Sequence, residues 1–308
     1  MMLSVVGVER SGSTRLSQIL DSLSFRVYDE IFHPRTPWGL RRDDLLLKTL
    51  QNIEFPDVIK EEHVEWTHSR KVNQKFTGKA MHSFSSNPLR VDNVPVKLAK
   101  ELASTYEQVS MTIFLRHLDA RMLAKLLSIS RCILVTSRTP IDSFISMQKA
   151  KVGGAFVAHG ADTTAAKIDL DPAKLLAYTD ANGKSYYELG KELGLIKMHS
   201  SVFFLKYEDW SNLKNNAQEI FVSGFLAAVM RETPANAEDL RWEPGLDAAN
   251  SNNAMLRQDK SASWYDKVFN GEQLSETLAS PQFRHCLSKY LLHEQFRRGY
   301  QSSRQIVV

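Results

Sequence analysis

The chain has 308 residues, of which 43% are hydrophobic and 24% are charged. This composition is typical of a globular protein, and it excludes an intrinsically disordered or collagen-like chain. Thirty-nine basic and 35 acidic residues give a net charge of +4. Because the basic residues are spread along the chain rather than gathered in one run, the charge does not indicate nucleic acid as a partner.

The two cysteines, Cys132 and Cys286, lie far apart in the sequence, and no CxxC spacing is present. The sequence therefore predicts neither a disulfide framework nor a structural metal site. Glu9 interrupts the apolar run near the N terminus, which argues against a signal peptide. The longest apolar stretch elsewhere, residues 220–230, is too short to span a membrane. We therefore expect a cytoplasmic protein with no membrane span.

In chain order, the first predicted element is a strand at residues 3–8. Its apolar residues do not alternate with polar ones, which is typical of a strand covered on both faces. Apolar residues then recur at helical spacing over residues 16–23 and predict a helix that packs on the sheet. A second unit of this kind begins with a strand at residues 132–135, and Thr139 followed by Pro140 predicts the start of its helix.

Weaker patterns predict further elements between and after these two units. The predicted strands are residues 76–81, 111–115 and 202–205, and the predicted helices are residues 119–127, 173–177, 186–193 (ended by Gly194), 218–230 and 283–298. Strands that alternate with helices predict an α/β fold with a central parallel sheet flanked by helices. We expect one domain over residues 1–308, with loop or helical excursions at about residues 33–75 and 150–200.

A glycine-rich turn joins the first strand to the first helix. Residues 7–14, GVERSGST, have the spacing of a P-loop with Ser13 in place of the usual lysine. A turn of this type directs backbone N–H groups and a helix N terminus toward one anion. The hydroxyls of Ser11, Ser13 and Thr14 add donors, and Arg10 adds a planar charge that can bind two oxygens.

The same turn lacks the parts that a nucleoside triphosphatase needs. The lysine that bridges the β- and γ-phosphates is absent, and the best candidate strand ends in Thr136-Ser137-Arg138 rather than in an aspartate for magnesium. These residues, called the phosphate loop below (residues 7–14), therefore predict a P-loop-type fold with a phosphate site rather than a Mg·ATP site.

The second strand-to-helix unit predicts a second anion site. Arg138 ends the strand, and Ser146 lies eight residues later, about two turns into the helix. Both are predicted to face the carboxyl edge of the sheet, where α/β proteins hold their ligands.

These two units together resemble a known family. The string RSGST at residues 10–14 resembles the 5′-phosphosulfate loop of the PAPS-dependent sulfotransferases, especially their carbohydrate-type and bacterial trehalose-type branches. The string R-x-P-x-D from Arg138, with Ser146 eight residues after the arginine, resembles that family's 3′-phosphate motif. The resemblance covers about residues 1–30 and 131–150.

The resemblance implies a sulfotransferase-like fold and an enzyme that moves a sulfuryl group from PAPS to an acceptor hydroxyl and releases PAP, without a metal. The acceptor is then a carbohydrate or a small alcohol. The residues that the resemblance assigns to the 5′-phosphosulfate are Arg10, Ser11, Gly12, Ser13 and Thr14, and those it assigns to the 3′-phosphate are Arg138 and Ser146.

Other parts of the chain match the family less well. The string KYED at residues 206–209 is similar to a further family landmark, whereas Glu9 and Arg15 replace neutral and apolar residues of many relatives. The C-terminal RKG-type segment of cytosolic sulfotransferases is not visible. Its nearest local substitutes are Arg257, Lys260 and Trp264.

Sulfuryl transfer also needs a base for the acceptor proton. Glu30 is the first candidate, because it lies close to where trehalose-type relatives place a catalytic carboxylate, and Asp29 lies beside it. A glutamate can act as a base when burial raises its pKa. His82 is the second candidate, since residues 78–82 resemble the strand end that carries a lysine and the catalytic histidine in cytosolic sulfotransferases, with one additional residue between them.

Six side chains have further predicted roles around the reacting groups or the acceptor. Arg10 and the loop amides would neutralise charge on the leaving phosphate, and Lys79 would stabilise the bridging oxygen. His33 is a weaker candidate for the base. Trp38, Trp66 and Tyr178 are candidates to line a sugar site.

Two other functions stay open from the residues alone. A P-loop kinase or other phosphoryl transferase with an altered loop would bind ATP and depend on magnesium. A non-catalytic nucleotide-binding protein of the same fold would bind PAP without transferring sulfate. The sequence also leaves the oligomeric state open.

Overall fold

A computed structural model describes residues 1–34, 88–90, 93–153, 167–195, 201–211, 213, 215–232 and 263–282. The strands in this part of the chain are β1 (Met2–Gly7), β2 (Arg26–Asp29), β3 (Val109–Phe114), β4 (Cys132–Ser137) and β5 (Ser201–Lys206). The α-helices are α1 (Ser13–Ser22), α2 (Val94–Thr105), α3 (Ala120–Leu127), α4 (Pro140–Gly153), α5 (Pro172–Leu195), α6 (Tyr207–Trp210), α7 (Asn215–Glu232) and α8 (Gly271–Ala279). Short 3₁₀-helices lie at Pro88–Arg90 and Tyr265–Lys267.

The five strands form one parallel sheet in the order β2-β3-β1-β4-β5. The predicted α/β fold with a central parallel sheet flanked by helices is confirmed. After β1 the chain crosses to β2, on one side of β1 in the sheet. After β4 it crosses to β5, on the opposite side. The carboxyl ends of β1 and β4 therefore flank the point where the connections diverge, which is where open α/β sheets form a ligand crevice.

Both faces of the sheet are covered by helices. Every residue of β1, β3 and β4 is buried, which explains why their apolar runs show no alternation. On one face, Val6 of β1 belongs to a core with residues of α2, α3 and α5. On the other face, Leu3 and Val5 of β1 belong to a core with residues of α1 and α7.

A third apolar cluster joins the segment near residue 270 to α4. Phe144 and Ile145 of α4 pack with Ile168, Val268 and Leu274. An isolated parallel bridge pairs residues 168 and 268. The first turns of α4 are therefore held in place by residues more than 100 positions later in the chain.

Several predicted elements differ from the observed ones. The helices predicted at residues 173–177 and 186–193 are one continuous helix, α5, which runs past Gly194 to Leu195. This helix is continuous because its buried residues, including Asn182 and Gly183, pack along its whole length. The strand predicted at residues 76–81 and the helix predicted at residues 283–298 lie outside the described residues, and the single-domain assignment stays a prediction.

Four elements were not predicted from the sequence: β2, α2, the four-residue α6 and α8. Strand β2 has only four residues and begins with a charged one, Arg26. Helix α2 carries a proline in its first turn and buries Leu98, Ala99 and Leu102, a pattern that predicts a helix but was overlooked. In the part of the chain that the structure describes, no helix combines the length and the apolar character needed to cross a membrane.

Candidate anion-binding site

The phosphate loop follows the central strand, at the carboxyl edge of the sheet. Two of its residues have left-handed backbone conformations, Arg10 with φ 70° and Gly12 with φ 87°. Gly12 is the N-cap of α1, and in the part of the chain that the structure describes no side chain forms a capping hydrogen bond to that helix. The N–H groups of the first helical turn have no partner within a helix. The N terminus of α1 is therefore built to meet an anion.

Two glycines allow the loop to pack closely. A Cβ atom on Gly12 would lie 2.7 Å from Cε2 of Tyr207, and one on Gly7 would lie 2.9 Å from the carbonyl oxygen of Thr136. Both distances are shorter than van der Waals contact. The tight turn between β1 and α1 therefore requires glycine at these two positions.

Ser11 braces the loop against β4. Its hydroxyl is buried and lies 3.0 Å from Oγ1 of Thr136. Because Thr136 donates its own proton to the Val6 carbonyl at 3.2 Å, Ser11 must be the donor of this pair. The Ser11 hydroxyl proton is thus directed to the sheet in this structure, and its contact with phosphate stays a prediction. Ser13 is buried and Thr14 is exposed in the first turn of α1.

The second corner lies beside the first. Arg138 follows β4, and its Nη1 donates to the carbonyl oxygen of Arg10 at 3.3 Å. Its guanidinium carbon lies 4.6 Å from the centre of the Tyr207 ring, a cation–π contact that fixes the plane of the charged group. Its Nε is buried and has no hydrogen-bond partner among the described residues. Tyr207 belongs to the KYED string, so this string packs against both corners.

The side chain of Arg10 crosses to the second corner. Its Nε donates to the hydroxyl oxygen of Ser146 at 3.0 Å. Burial is the main cause that lowers the pKa of Arg10, and the charge of Arg138 lowers it further. The structure thus brings Arg10, Arg138 and Ser146 together near the carboxyl ends of β1 and β4, where open α/β sheets form their ligand crevice. This place is called the cleft below.

A buried ionic network holds the start of α4. The Thr139 hydroxyl donates to Oδ2 of Asp142 at 2.8 Å, and the Thr139 N–H donates to Oε1 of Glu208 at 2.7 Å. Lys267 donates to Oδ1 of Asp142 at 2.8 Å and is only 3% exposed. Burial would raise the pKa of Asp142, but the hydrogen bond and charge of Lys267, the Thr139 hydrogen bond and the charge of Arg138 together hold this pKa below its usual value.

Glu30 lies at the same edge of the sheet, directly after β2. Its backbone has φ 36°, and its N–H donates to the carbonyl oxygen of Thr112 at 3.1 Å. Burial and the charge of Arg138 lower the pKa of Arg10, and the carboxylate of Glu30 acts on it in the opposite direction. The first candidate for the base is therefore within electrostatic reach of the cleft.

Arg116 and His117, which follow β3, were missed by the sequence analysis. Nη1 of Arg116 lies 4.0 Å from Oε2 of Glu9, and Nη2 donates to Oδ1 of Asn182 at 3.3 Å. The carboxylate in the phosphate loop is thus paired with a cation. The same rule that selected Arg138, a polar residue directly after a buried strand, would have found both residues.

His117 is buried, at 1% exposure, and it holds a defined tautomer. Its Nδ1 accepts a hydrogen bond from the N–H of Phe114 at 3.3 Å. Burial, followed by the charges of His33 and Arg90, lowers its pKa to about 3, so the ring is neutral at pH 7. A neutral ring that accepts at Nδ1 carries its proton on Nε2. The ring of His33 lies 5.6 Å from that of His117.

Tyr178 lies beside the phosphate loop, whereas Arg15 contacts α7. Tyr178 is 8% exposed, and its hydroxyl lies 2.8 Å from that of Ser143, which in turn donates to the Glu9 carbonyl. Tyr178 therefore supports the loop from α5 rather than lining an open surface. Arg15 donates to Gln218 at 3.1 Å on α7, away from Ser146.

Trp264 packs against the α4 cluster. The remaining predicted residues, His82, Lys79, Trp38, Trp66, Arg257 and Lys260, lie outside the described residues. Within the described ranges, His, Cys, Asp and Glu side chains form no group of three that could hold a metal ion.

Comparison with known proteins adds little to this geometry. The sequence matches no family model and no curated protein. Among solved structures, the chain is similar to TT1252 from Thermus thermophilus, with 13% identity and a TM-score of 0.32 over 74% of this chain and 97% of that chain. Similarity at this level carries no inference about function.

Proposed function

We propose that the protein is a PAPS-dependent sulfotransferase that moves a sulfuryl group from PAPS to a hydroxyl of a carbohydrate or small alcohol. One observation carries the proposal. The Arg10 side chain reaches Ser146 at 3.0 Å and Arg138 reaches the Arg10 carbonyl at 3.3 Å, so an uncapped helix N terminus and an arginine site share one cleft. A ligand that uses both needs two separate anionic groups, and PAPS carries a 5′-phosphosulfate and a 3′-phosphate.

The two ends of PAPS match the two corners. The 5′-phosphosulfate binds the backbone amides of residues 10–14 and the N terminus of α1, which no side chain of the described residues caps. The 3′-phosphate binds Arg138 and Ser146. Tyr207 supports both sites, because its ring packs against Gly12 and under the Arg138 guanidinium.

In the transfer step, the acceptor oxygen forms a bond to sulfur while the bond from sulfur to the 5′-phosphate oxygen breaks. The acceptor proton passes to a base, and the electron pair of the broken bond stays on the phosphate of PAP. Amides oriented before the reaction stabilise that developing charge, at about 3 kcal/mol for each well-placed donor.

Glu30 is the proposed base, and the tautomer of His117 supports this choice. The proton of His117 lies on Nε2, because Nδ1 accepts the Phe114 N–H. A ring in this state donates a hydrogen bond and does not take up a proton at Nε2. The Glu30 carboxylate, in contrast, is an acceptor at the same edge of the sheet.

Thermal unfolding with nucleotides tests the binding proposal. We expect PAP to stabilise the protein without magnesium by about 2.7 kcal/mol at one hundred times its dissociation constant, and AMP and ADP to bind more weakly. Arg138→Ala should remove most of the advantage of PAP over AMP, whereas Arg121→Ala, at an exposed arginine of α3, should leave it unchanged. Equal shifts for PAP and AMP would contradict the proposal, and a shift that only Mg·ATP produces would favour a kinase.

Transfer from labelled PAPS tests the chemistry. We expect Glu30→Gln to lower turnover by about 10²–10⁴-fold and to leave the affinity for PAP unchanged. The control Glu101→Gln, at an exposed carboxylate of α2, should change neither turnover nor affinity. Unchanged turnover in Glu30→Gln would eliminate this residue as the base. Tight PAP binding by a wild-type protein that transfers no sulfate to any acceptor would indicate a non-catalytic nucleotide-binding protein.

A further inference from the structure

We propose that the groove between α3 and α5 is a binding site for a free amino acid with an apolar side chain. The groove holds a cavity of about 250 Å³, and its described walls are the β3–α3 connection, the start of α3 and the middle of α5. This cavity is called the α3–α5 pocket below. It lies outside the two corners to which the proposed function assigns PAPS, and it does not depend on that function.

The floor of the α3–α5 pocket is apolar and belongs to the core. Leu115 and Leu118 follow β3, Leu123 and Leu189 come from the two helices, and all four line the pocket and pack in the core beneath them. Leu115, the most exposed of the four, is only 7% exposed. Ala120, the first residue of α3, also lines the pocket, and its small side chain leaves the cavity unfilled. Such a floor can take up an aliphatic side chain.

The rim of the pocket carries charged side chains. Lys184 and Glu188 lie one turn apart on α5, close enough for an ion pair. They form none, and neither makes a hydrogen bond within the described ranges. Asp119, on the opposite wall, accepts the Met122 N–H with Oδ1 at 2.9 Å. Its Oδ2 is therefore left for a ligand.

Hydrogen-bond acceptors outnumber donors among these side chains. Ser185 donates its hydroxyl proton to the Ala181 carbonyl at 2.9 Å, so its oxygen is left as an acceptor. The carboxylates of Asp119 and Glu188 accept as well, and the Lys184 ammonium is the donor of the set. An ammonium group on the ligand complements the acceptors, and a carboxylate complements Lys184. A molecule with both charges and an apolar side chain matches the rim and the floor together.

The size of the cavity limits the ligand. Pockets for drug-sized ligands have volumes of about 300–1,000 Å³, whereas this cavity has about 250 Å³. A nucleotide or a sugar chain is therefore too large for it. A single amino acid of the size of leucine or methionine is small enough.

Calorimetry on the full chain tests the site, with leucine as the probe. Three related compounds each lack one feature: leucine methyl ester has no carboxylate, N-acetyl-leucine has no ammonium group, and alanine has no large side chain. We expect leucine to bind saturably. We expect each of the other three to bind at least about threefold more weakly, a modest factor because the charged contacts are partly exposed.

Variants of the chain separate the three contacts. Lys184→Met should weaken leucine by about threefold and leave the methyl ester unchanged. Glu188→Gln should weaken leucine and the ester alike and leave N-acetyl-leucine unchanged. Ala120→Leu should weaken leucine at least about tenfold, because the new side chain occupies the space of the ligand. The controls Lys100→Met and Glu101→Gln, at exposed residues of α2, should change nothing.

Several outcomes would overturn the proposal. It fails if leucine at millimolar concentration does not bind, or if any of the three related compounds binds as tightly as leucine. It also fails if Lys184→Met weakens leucine and its ester equally. Should Ala120→Leu fail to fold, the charge variants still decide, because Lys184 is exposed and Glu188 is only half-buried. None of these measurements involves PAPS, so failure of the site and failure of the proposed function are separate results.

Discussion

The two strand-to-helix corners of the cleft are built in different ways. The β1–α1 corner depends on backbone packing: Gly12 is the N-cap of α1, and Ser11 braces the turn against Thr136. The β4–α4 corner is made of side chains, with Arg138 stacked on Tyr207 and Asp142 paired with the buried Lys267.

This difference shows how one cleft can combine general and selective binding. Amides at a helix N terminus bind many anions, because they interact with the negative charge and do not distinguish the group to which the phosphate is attached. Guanidinium groups in fixed planes bind a phosphate at one place and in one orientation. The first corner depends on close backbone packing, and the second depends on a network that reaches residue 267. Changes to each corner should therefore have different consequences.

The largest expected effect is at the buried ion pair of the second corner. Asp142→Asn leaves the Lys267 ammonium buried, at 3% exposure, without its counter-charge. We expect the free energy of unfolding in denaturant to fall by about 3–5 kcal/mol. Asp180→Asn, at an exposed carboxylate of α5, should change it by less than about 0.5 kcal/mol. The double variant with Lys267→Met should regain most of the loss, and a double variant as unstable as the single one would contradict this account.

The same pair predicts a pH dependence. The pKa of Asp142 is lower in the folded protein than its usual value, because Lys267, Thr139 and Arg138 together outweigh the opposing effect of burial. Its contribution to stability is therefore complete above the ordinary pKa of an aspartate and is lost as the pH falls through the folded value. Stability measured from about pH 5 downward should fall less steeply in Asp142→Asn than in the wild-type protein.

An intermediate effect is expected at Gly12 in the first corner. A Cβ atom here would collide with the Tyr207 ring, and the backbone has φ 87°. We expect Gly12→Ala to destabilise the protein by about 1–3 kcal/mol and to abolish PAP binding, because the loop must move.

Gly224 in α7 provides the control for this change, since a Cβ atom there meets nothing within 4 Å. Gly224→Ala should stabilise the protein by about 1 kcal/mol, as alanine does in an exposed helix, and leave PAP binding intact. If both glycine variants bound PAP like the wild-type protein, the first corner would not depend on backbone packing.

The smallest expected effect is at Ser11. Ser11→Ala removes the 3.0 Å hydrogen bond to Thr136 and should lower the free energy of unfolding by about 1 kcal/mol. The PAP dissociation constant should stay within twofold, because the hydroxyl proton is directed to the sheet. A tenfold loss of affinity with unchanged stability would show instead that the hydroxyl turns to the phosphate in the complex.

The parts of this molecule that could be predicted from sequence are those with a local cause. Buried strands of β-branched residues, a glycine-rich turn and a helix with an apolar stripe are encoded within about 20 residues, so β1, α1, β4 and the start of α4 were predictable. That Arg138 and Ser146 both face the carboxyl edge of the sheet was predicted from helix periodicity and from the parallel direction of the strands.

Only the tertiary structure decided the features that depend on distant residues. Lys267 meets Asp142 across 125 positions, and the Arg10 side chain selects Ser146 across 136 positions. No periodicity encodes either contact. Likewise, α5 continues through its glycines because its buried residues pack along its whole length. The tautomer of His117 depends on the backbone N–H of Phe114. Local patterns determine which elements form, whereas the direction of a charged side chain is set by burial and by the charges that the fold brings near it.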